Sequence, residues 1–223
     1  MTDHKSAPTP VALEARKASE GRLFSSSAGR NKADIAKALC DLIPQSASVL
    51  EIGSGTGEHG IETLSLRPDL RWQFSDPDPQ SRDSQRAWIA HHSVVTDTEA
   101  QAAPMDIDAT LPNWTKALPI RYDVLFASNM IHIAPVEALI GLAREAETAL
   151  KADGKIILYG PFLFGDLSAP SNLKFDGVLK SKNHAWGVRE LGFVKHIFAK
   201  HGFNHVELRG MPKNNHIIGL SRL

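Results

Sequence analysis

Short apolar runs alternate along this chain with longer segments in which apolar residues recur every three or four positions. The short runs are typical of buried strands, and the longer segments are typical of amphipathic helices. The clearest strands are predicted at residues 49–52, 71–75, 122–127 and 155–159. Because predicted helices separate these strands, the pattern indicates an α/β fold with a mainly parallel sheet.

Prolines and glycines mark several of the predicted helix ends. The helices are predicted at residues 29–43, 61–67, 78–91, 136–153 and 188–200. Weaker patterns predict further strands at residues 94–103, 203–209 and 216–223. Residues 160–187 show little periodicity, and because long loops are usually functional or mobile, we predict a substrate lid there. Residues 1–12 are predicted to be a flexible tail, and residues 13–223 to be a single domain.

The strand at residues 49–52 runs directly into three glycines at alternate positions, Gly53, Gly55 and Gly57. Glycine accepts the backbone angles of a tight turn and lets the backbone approach a ligand closely. One ligand class for such a turn is a dinucleotide, which requires G-x-G-x-x-G as the strand ends. Gly55, Gly57 and Gly60 fit that string but begin three residues after the strand, so the dinucleotide match is out of phase.

A second register of the same turn fits better. The acidic residue Glu51 precedes Gly53-x-Gly55-x-Gly57, an arrangement similar to motif I of the class I S-adenosylmethionine (SAM) dependent methyltransferases. A purely structural glycine turn remains the alternative, because a single glycine-rich loop is weak evidence.

Acidic residues follow two other predicted strands. Asp76 directly follows the strand at residues 71–75, and Asp106 follows the weaker strand near residue 103. Since the carboxyl ends of parallel strands meet at one edge of a sheet, both carboxylates are expected beside the glycine turn. Asp76 lies 19 residues after Gly57, where a βαβ unit places an acid that binds ribose hydroxyls. Capping of the next helix by Asp76 is the alternative.

Composition adds limits to this picture. The chain has 223 residues, of which 42% are hydrophobic and 22% charged, and a single cysteine, Cys40. This excludes an intramolecular disulfide and is ordinary for one globular domain. No apolar run is long enough to span a bilayer, and the N-terminus lacks an apolar signal core, so a cytoplasmic location is predicted. The histidines lack metal-ligand spacing, and no metal is predicted.

Charge is unevenly distributed although the formal net charge is zero. Residues 151–223 contain 11 Lys and Arg against 5 Asp and Glu. This bias indicates either an anionic partner or scattered solvated lysines. Without a dense basic cluster containing aromatic residues, it argues against nucleic acid. If the bias is functional, a small anionic molecule is the more natural partner.

Six further segments carry a more specific pattern. They are Ser75-Asp-Pro-Asp-Pro79, Asn129-Met-Ile-His132, Tyr159-Gly-Pro-Phe162, Pro170-Ser-Asn172, Trp186-Gly187 and Met211-Pro-Lys-Asn-Asn215. Together with the glycine turn they resemble the family of small class I SAM-dependent methyltransferases that includes methyltransferase-like protein 26. The resemblance covers residues 29–223 and implies a Rossmann-like α/β fold. Its seven-stranded, mostly parallel sheet would have the order 3-2-1-4-5-7-6, an antiparallel seventh strand and helices on both faces.

The resemblance also implies SAM as the cofactor. It implies that Gly53 and Gly55 line the methionine part, that Asp76 holds the ribose and that Asp106 meets the adenine. The cofactor-binding residues implied in full are Arg30, Asn31, Glu51, Gly53, Ser54, Gly55, Asp76, Pro77, Asp106, Ile107, Ser128, Asn129 and Met130. For Arg30 and Asn31, which precede the first helix of the family, binding of the substrate is the alternative to binding of the carboxylate end of SAM.

Because the methyl group of SAM is already activated, catalysis can consist largely of holding a nucleophile in line with it. A nucleophile that is protonated at neutral pH also needs a base, and His132 is the predicted base, with Tyr159 as the second candidate. A structural histidine and a core tyrosine are the alternatives. The residues predicted to shape the acceptor pocket are Phe162, Asn172, Asp176, Trp186, Arg189 and Asn215.

The sequence therefore predicts a SAM-dependent methyltransferase that acts on a small-molecule acceptor. One alternative is an NAD(P)-dependent oxidoreductase, which the phase of the glycines and Asp106 disfavour. The other is a SAM-binding interaction module without catalysis.

Overall fold

A computed structural model describes residues 14–92 and 102–222 of the chain. Within these residues, β1 (Lys17–Ser19) and β2 (Arg22–Phe24) form a hairpin. The main sheet consists of β3 (Ser48–Ile52), β4 (Arg71–Ser75), β5 (Tyr122–Ser128), β6 (Leu150–Pro161), β7 (His205–Met211) and β8 (Asn215–Ser221). Its spatial order is β4-β3-β5-β6-β8-β7, and β8 runs antiparallel to both of its neighbours.

Helices connect these strands and cover both faces of the sheet. They are α1 (Ser26–Leu42), α2 (Glu58–Leu66), α3 (Pro79–His91), α4 (Val136–Ala149), α5 (Pro170–Lys182) and α6 (Leu191–Ala199). Short 3-10 helices are formed at Trp114–Ala117, Met130–His132 and Pro212–Asn214. Among the described residues, no helix is long and apolar enough to cross a membrane.

The alternation of side chains along the central strands explains why both faces are covered. Val49 of β3 packs into a core with residues of α1, α2 and α3, whereas the next residue, Leu50, packs into a core with residues of α4 and α6. Successive strand residues point to opposite faces, so a fully apolar strand needs a helical layer on each side. All five residues of β3 are buried, which makes it the centre of the two cores.

The main sheet has six strands, and the prediction of seven was wrong for the described residues. The observed order matches the predicted order without its third strand. The predicted strand at residues 94–103 falls mostly outside the described residues, and beyond it only Met105 bridges β4, in parallel with Ser75. Pro104, which lacks a backbone N–H, directly precedes this single bridge and cannot extend a ladder.

The structure also differs from the predictions at α5 and at the end of α4. The predicted lid contains a 13-residue helix, α5, which presents only Asn172 and Leu179 as buried residues and therefore has no apolar stripe for a periodicity to reveal. Helix α4 ends at Ala149 rather than near Gly154, because Leu150 already pairs with Tyr122 of β5. The predicted tail at residues 1–12 lies outside the described residues.

The packing of α4 predicts a specific cost for one substitution. A Cβ added to Gly141 would collide with the backbone oxygen of Ala109, whereas one added to Gly29 in α1 would meet nothing within 4 Å. We expect Gly141→Ala to lower the free energy of unfolding by about 2 kcal/mol through overpacking. Gly29→Ala is the matched control and should raise it by roughly 0.5 kcal/mol. Urea unfolding measures both, and equal effects would contradict the packing described.

Candidate active site

The turn after β3 is built from glycines with positive φ. The φ angle is +68° at Gly53, +56° at Gly55 and +93° at Gly57. A Cβ added at Gly53 would also lie 2.7 Å from Cγ of Met130. Positive φ disfavours side chains at all three positions, and at Gly53 the lack of space excludes one as well. The turn therefore leaves its backbone open at the carboxyl edge of the sheet.

The carboxylate of Asp76 lies directly beside this turn. Its Oδ2 accepts a hydrogen bond of 2.8 Å from the N–H of Gly55, and its Oδ1 accepts one of 2.9 Å from the N–H of Asp78. Burial raises the pKa of Asp76, and these two hydrogen bonds oppose the rise. The cap of α3 is Asp78, which accepts from the N–H groups of Gln80 and Ser81. The capping alternative for Asp76 was therefore wrong.

Glu51 is a buried carboxyl group that precedes the turn. Burial raises its pKa to about 8, although hydrogen bonds from Trp72 and Ser54 oppose this rise. The indole Nε1–H of Trp72 donates to Oε2 of Glu51 at 3.0 Å. At neutral pH the carboxyl group is therefore mainly protonated and uncharged.

A cavity of about 370 Å³ opens beside the turn. Its walls include the first turns of α1 and α5, the glycine turn, the ends of β5 and β6, and the turn before β8. This volume is within the range of small-molecule sites. The predicted site residues that line it are Arg30, Asn31, Gly53, Ser54, Gly55, Ser128, Asn129, His132, Tyr159, Asn172 and Asn215.

The remaining predicted cofactor residues do not line this cavity. They are Glu51, Asp76, Pro77, Asp106, Ile107 and Met130. Asp106 is held at the same sheet edge as Asp76, because the N–H of Asp76 donates to the backbone oxygen of Met105 at 3.1 Å. The side chain of Asp106 is 68% exposed and forms an ion pair of 3.1 Å with Arg82. Its adenine-binding role stays a prediction.

His132 lines the cavity but is buried and uncharged. Burial lowers its pKa to about 3, the nearby guanidinium of Arg189 lowers it further, and the backbone of Gly187 opposes this. The N–H of Arg189 donates to Nδ1 at 3.2 Å, so the neutral ring carries its proton on Nε2. Nε2 is sealed from solvent and has no partner among the described residues. His132 has no free lone pair, which argues against the predicted role of general base.

Three predicted substrate residues instead hold the segment after α5 in place. The Nε of Arg189 donates to the backbone oxygen of Ile131 at 2.8 Å, and Oδ1 of Asp176 accepts from the N–H of Val188 at 2.9 Å. Trp186 is buried in a small core cluster that also contains Val188. None of the three predicted residues lines the cavity. Their contacts within the described residues are those of structural groups.

The other predicted substrate residues are Phe162, directly after β6, Asn172, in α5, and Asn215, at the start of β8. Phe162 is fully buried and does not line the cavity. Nδ2 of Asn172 donates to the backbone oxygens of Phe162, at 3.1 Å, and Asn214, at 2.9 Å. Nδ2 of Asn215 donates to the backbone oxygen of Pro212 at 3.0 Å. Both amides line the cavity, but their donor groups bind the backbone.

Several cavity-lining residues were not predicted from the sequence. They include Glu14, Arg16, Asp34, His59 and Lys213. Glu14 and Arg16 come from a segment for which no element was predicted, just before the β1–β2 hairpin. Glu20 and Gly21 both have positive φ in that hairpin, and a two-residue turn with glycine second could have revealed it.

A family model matches residues 22–222, nearly the whole of the described chain. The chain belongs to the family described as Protein of unknown function (DUF938).

Within the described residues, 14–92 and 102–222, no group of three or more His, Cys, Asp or Glu side chains could hold a metal ion.

Solved structures of methyltransferases share the fold. An O-methyltransferase family 2 protein from Planctomyces limnophilus in complex with apigenin matches 88% of this chain with a TM-score of 0.72 and 16% identity. Human N-acetylserotonin methyltransferase in complex with SAM matches 88% with a TM-score of 0.68 and 15% identity. CalO1, a methyltransferase of calicheamicin biosynthesis in its SAH-bound form, matches 88% with a TM-score of 0.70 and 14% identity.

These similarities show the fold, which is the α/β fold of class I SAM-dependent methyltransferases. The matches cover 60%, 52% and 54% of the three solved chains, so this chain spans little more than half of their length. The resemblance to the family that includes methyltransferase-like protein 26 is not tested by them and stays a prediction.

The raised pKa of Glu51 predicts a pH-dependent stability. The folded-state pKa of Glu51, about 8, lies above the ordinary value of 4.5. The contribution of Glu51 to the free energy of unfolding is therefore complete below about pH 4.5 and is lost as the pH rises toward 8. Relative to Glu51→Gln, the wild-type free energy of unfolding should fall by up to about 1.4 kcal/mol per pH unit in that window. Urea unfolding of both proteins between about pH 5 and 8 measures this difference. A difference independent of pH would contradict a buried neutral carboxyl group.

Proposed function

We propose that this protein is a SAM-dependent methyltransferase that acts on a small molecule. The observation that carries this proposal is the open glycine turn joined to an acid on the neighbouring strand. The N–H of Gly55 and Oδ2 of Asp76 are 2.8 Å apart, at the carboxyl edge where open α/β sheets bind nucleotides. The fold, which is that of class I SAM-dependent methyltransferases, supports the same assignment.

The residues at this edge fit SAM. A Cβ added at Gly55 would meet nothing nearer than Arg16 at 4.0 Å, so a ligand can approach the backbone. The two N–H bonds to Asp76 fix its carboxylate and leave lone pairs for ribose hydroxyls. Gly53 and Gly55 would hold the methionine part, Asp76 the ribose and Asp106 the adenine. When bound, SAM would supply an activated methyl group.

The chain's own contribution to catalysis would be positioning rather than strong base catalysis. His132 has no free lone pair, and burial raises the pKa of Tyr159, so its hydroxyl keeps its proton at neutral pH. Asn129 is fixed at the end of β5 by a 2.8 Å hydrogen bond from its N–H to the backbone oxygen of Tyr159. A fixed, partly enclosed cavity that aligns the reacting groups can supply a large part of the rate enhancement.

A small-molecule acceptor agrees with the cavity and with the solved structure that contains apigenin. The cavity lining does not favour an anionic acceptor. The basic side chains Arg16, Arg30 and Lys213 line it together with the acidic Glu14 and Asp34. Because Arg16 also pairs with Asp78 at 3.5 Å, the positive and negative charges nearly offset each other. The basic bias of residues 151–223 is therefore not concentrated at this site.

Calorimetry with S-adenosylhomocysteine (SAH) and with NAD tests the cofactor assignment. We expect SAH to bind and NAD not to bind. Asp76→Asn should weaken SAH binding by about tenfold, because a hydrogen bond to a charged group contributes roughly 1.5 kcal/mol or more. Asp153→Asn, at an exposed position, is the control and should leave SAH binding unchanged. Binding of NAD without binding of SAH would favour the oxidoreductase alternative.

Incubation of the protein with labelled SAM and a metabolite extract tests catalysis itself. We expect a small molecule to gain the label only when the protein is present. A protein that binds SAH but labels no compound would be a SAM-binding module, and the methyltransferase proposal would be wrong.

A further inference from the structure

A histidine that the sequence analysis did not select as a site residue lies on the cavity wall. His59, near the start of α2, has its Nε2 at 3.0 Å from Oδ1 of Asn31 in α1. An amide oxygen only accepts hydrogen bonds, so the imidazole carries its proton on Nε2. The other ring nitrogen, Nδ1, is then an acceptor with a free lone pair.

Nothing in the described part of the chain occupies that lone pair. Nδ1 of His59 accepts no hydrogen bond from these residues. It is also not closed off from solvent, in contrast to Nε2 of His132. Burial lowers the pKa of His59 to about 4, and the positive charge of Lys32 adds to this. At neutral pH His59 is therefore an uncharged hydrogen-bond acceptor on the cavity wall.

Tyr159 supplies a donor at the same place. It lines the cavity, and burial raises its pKa, with Asp34 adding to the rise and the hydrogen bonding of Asn31 opposing it. The tyrosine thus keeps its O–H proton. Asn31 interacts with both His59 and Tyr159, so one amide links an acceptor and a donor on the cavity wall.

We propose that His59 and Tyr159, linked by Asn31, form a binding subsite for a neutral hydroxyl group. Nδ1 of His59 accepts the hydroxyl proton in a hydrogen bond, and the O–H of Tyr159 donates to the hydroxyl oxygen. A carboxylate fits less well because its negatively charged oxygens would face the lone pair of Nδ1. This inference rests on the proposed function, because the hydroxyl group is taken to belong to the methyl acceptor. His59 and Tyr159 are then positioning residues.

Two substitutions of His59 separate hydroxyl binding from a structural role. In His59→Asn the side-chain oxygen replaces the acceptor near Nδ1 but the link to Asn31 is lost. In His59→Gln the amide N–H can retain that link but the acceptor is lost. The probes are phenol and anisole, which differ in carrying a hydroxyl and a methyl ether. Both are titrated into SAH-saturated protein and followed by NMR.

We expect His59→Asn to bind phenol within about threefold of wild type and His59→Gln to bind it about tenfold more weakly, the size of one hydrogen bond. Anisole should bind equally to all three proteins. The reverse order, with phenol binding kept in His59→Gln and lost in His59→Asn, would show a structural link and overturn the proposal. Absence of phenol binding to wild type would also overturn it.

Further readouts separate this inference from the proposed function. SAH affinity should be the same in all three proteins, and a loss confined to His59→Gln would assign His59 to the cofactor and overturn the acceptor subsite. If wild type binds no SAH, the proposed function fails, while phenol titration of the free protein still tests the subsite. Nitrogen NMR of the His59 ring in the wild-type protein should find the proton on Nε2. This measurement needs no variant, so it tests the proposal even where a variant does not fold. A proton on Nδ1 would overturn the proposal.

Discussion

The hydrogen bond from the N–H of Gly55 to Asp76 joins the two structural features on which the site depends. It requires the chain to leave β3 through a turn with positive φ, and it requires β4 to end beside that turn. Parallel pairing of Ile52 with Ser75 brings the two strand ends to the same level. With the turn fixed in this way, α2 begins at Glu58 and the cavity is bounded on one side by open backbone.

Burial keeps several titratable groups near this turn uncharged. The pKa of Glu51 is raised, and the pKa values of His59 and His132 are lowered, each mainly by burial. Removing a charge from water is costly, so groups without a close counter-charge stay neutral. The two histidines nevertheless differ, because one has both ring nitrogens enclosed by protein and the other keeps a free acceptor on the cavity wall. Position in the fold, rather than residue type, separates their roles.

The central part of the fold could be predicted from the sequence because burial on both faces leaves a clear signal. The strands at 49–52 and 71–75 and the glycine turn are continuous, local patterns. Helix α5 left no such signal, since it is mostly exposed. Of the predicted third strand, the described residues contain only a single bridge at Met105, beside a proline. Local pattern predicts an element well only where burial is regular along it.

The site was only partly predictable for a related reason. Residues that follow strands, such as Ser128 and Asn129, could be located because strand ends share one edge of the sheet. The orientation of His132, Arg189 and Asn172 depends on backbone groups distant in sequence, which no local motif encodes. His59 was missed because its partner, Asn31, lies 28 residues away on another helix.

The most direct test of this account is NMR of the backbone amides during titration with SAH. If the turn after β3 holds the cofactor, the amide signals of Gly53 and Gly55 should shift most strongly, together with those of Ser128 and Asn129. Saturable binding of SAH that leaves these four signals unchanged and shifts those of another surface would contradict it.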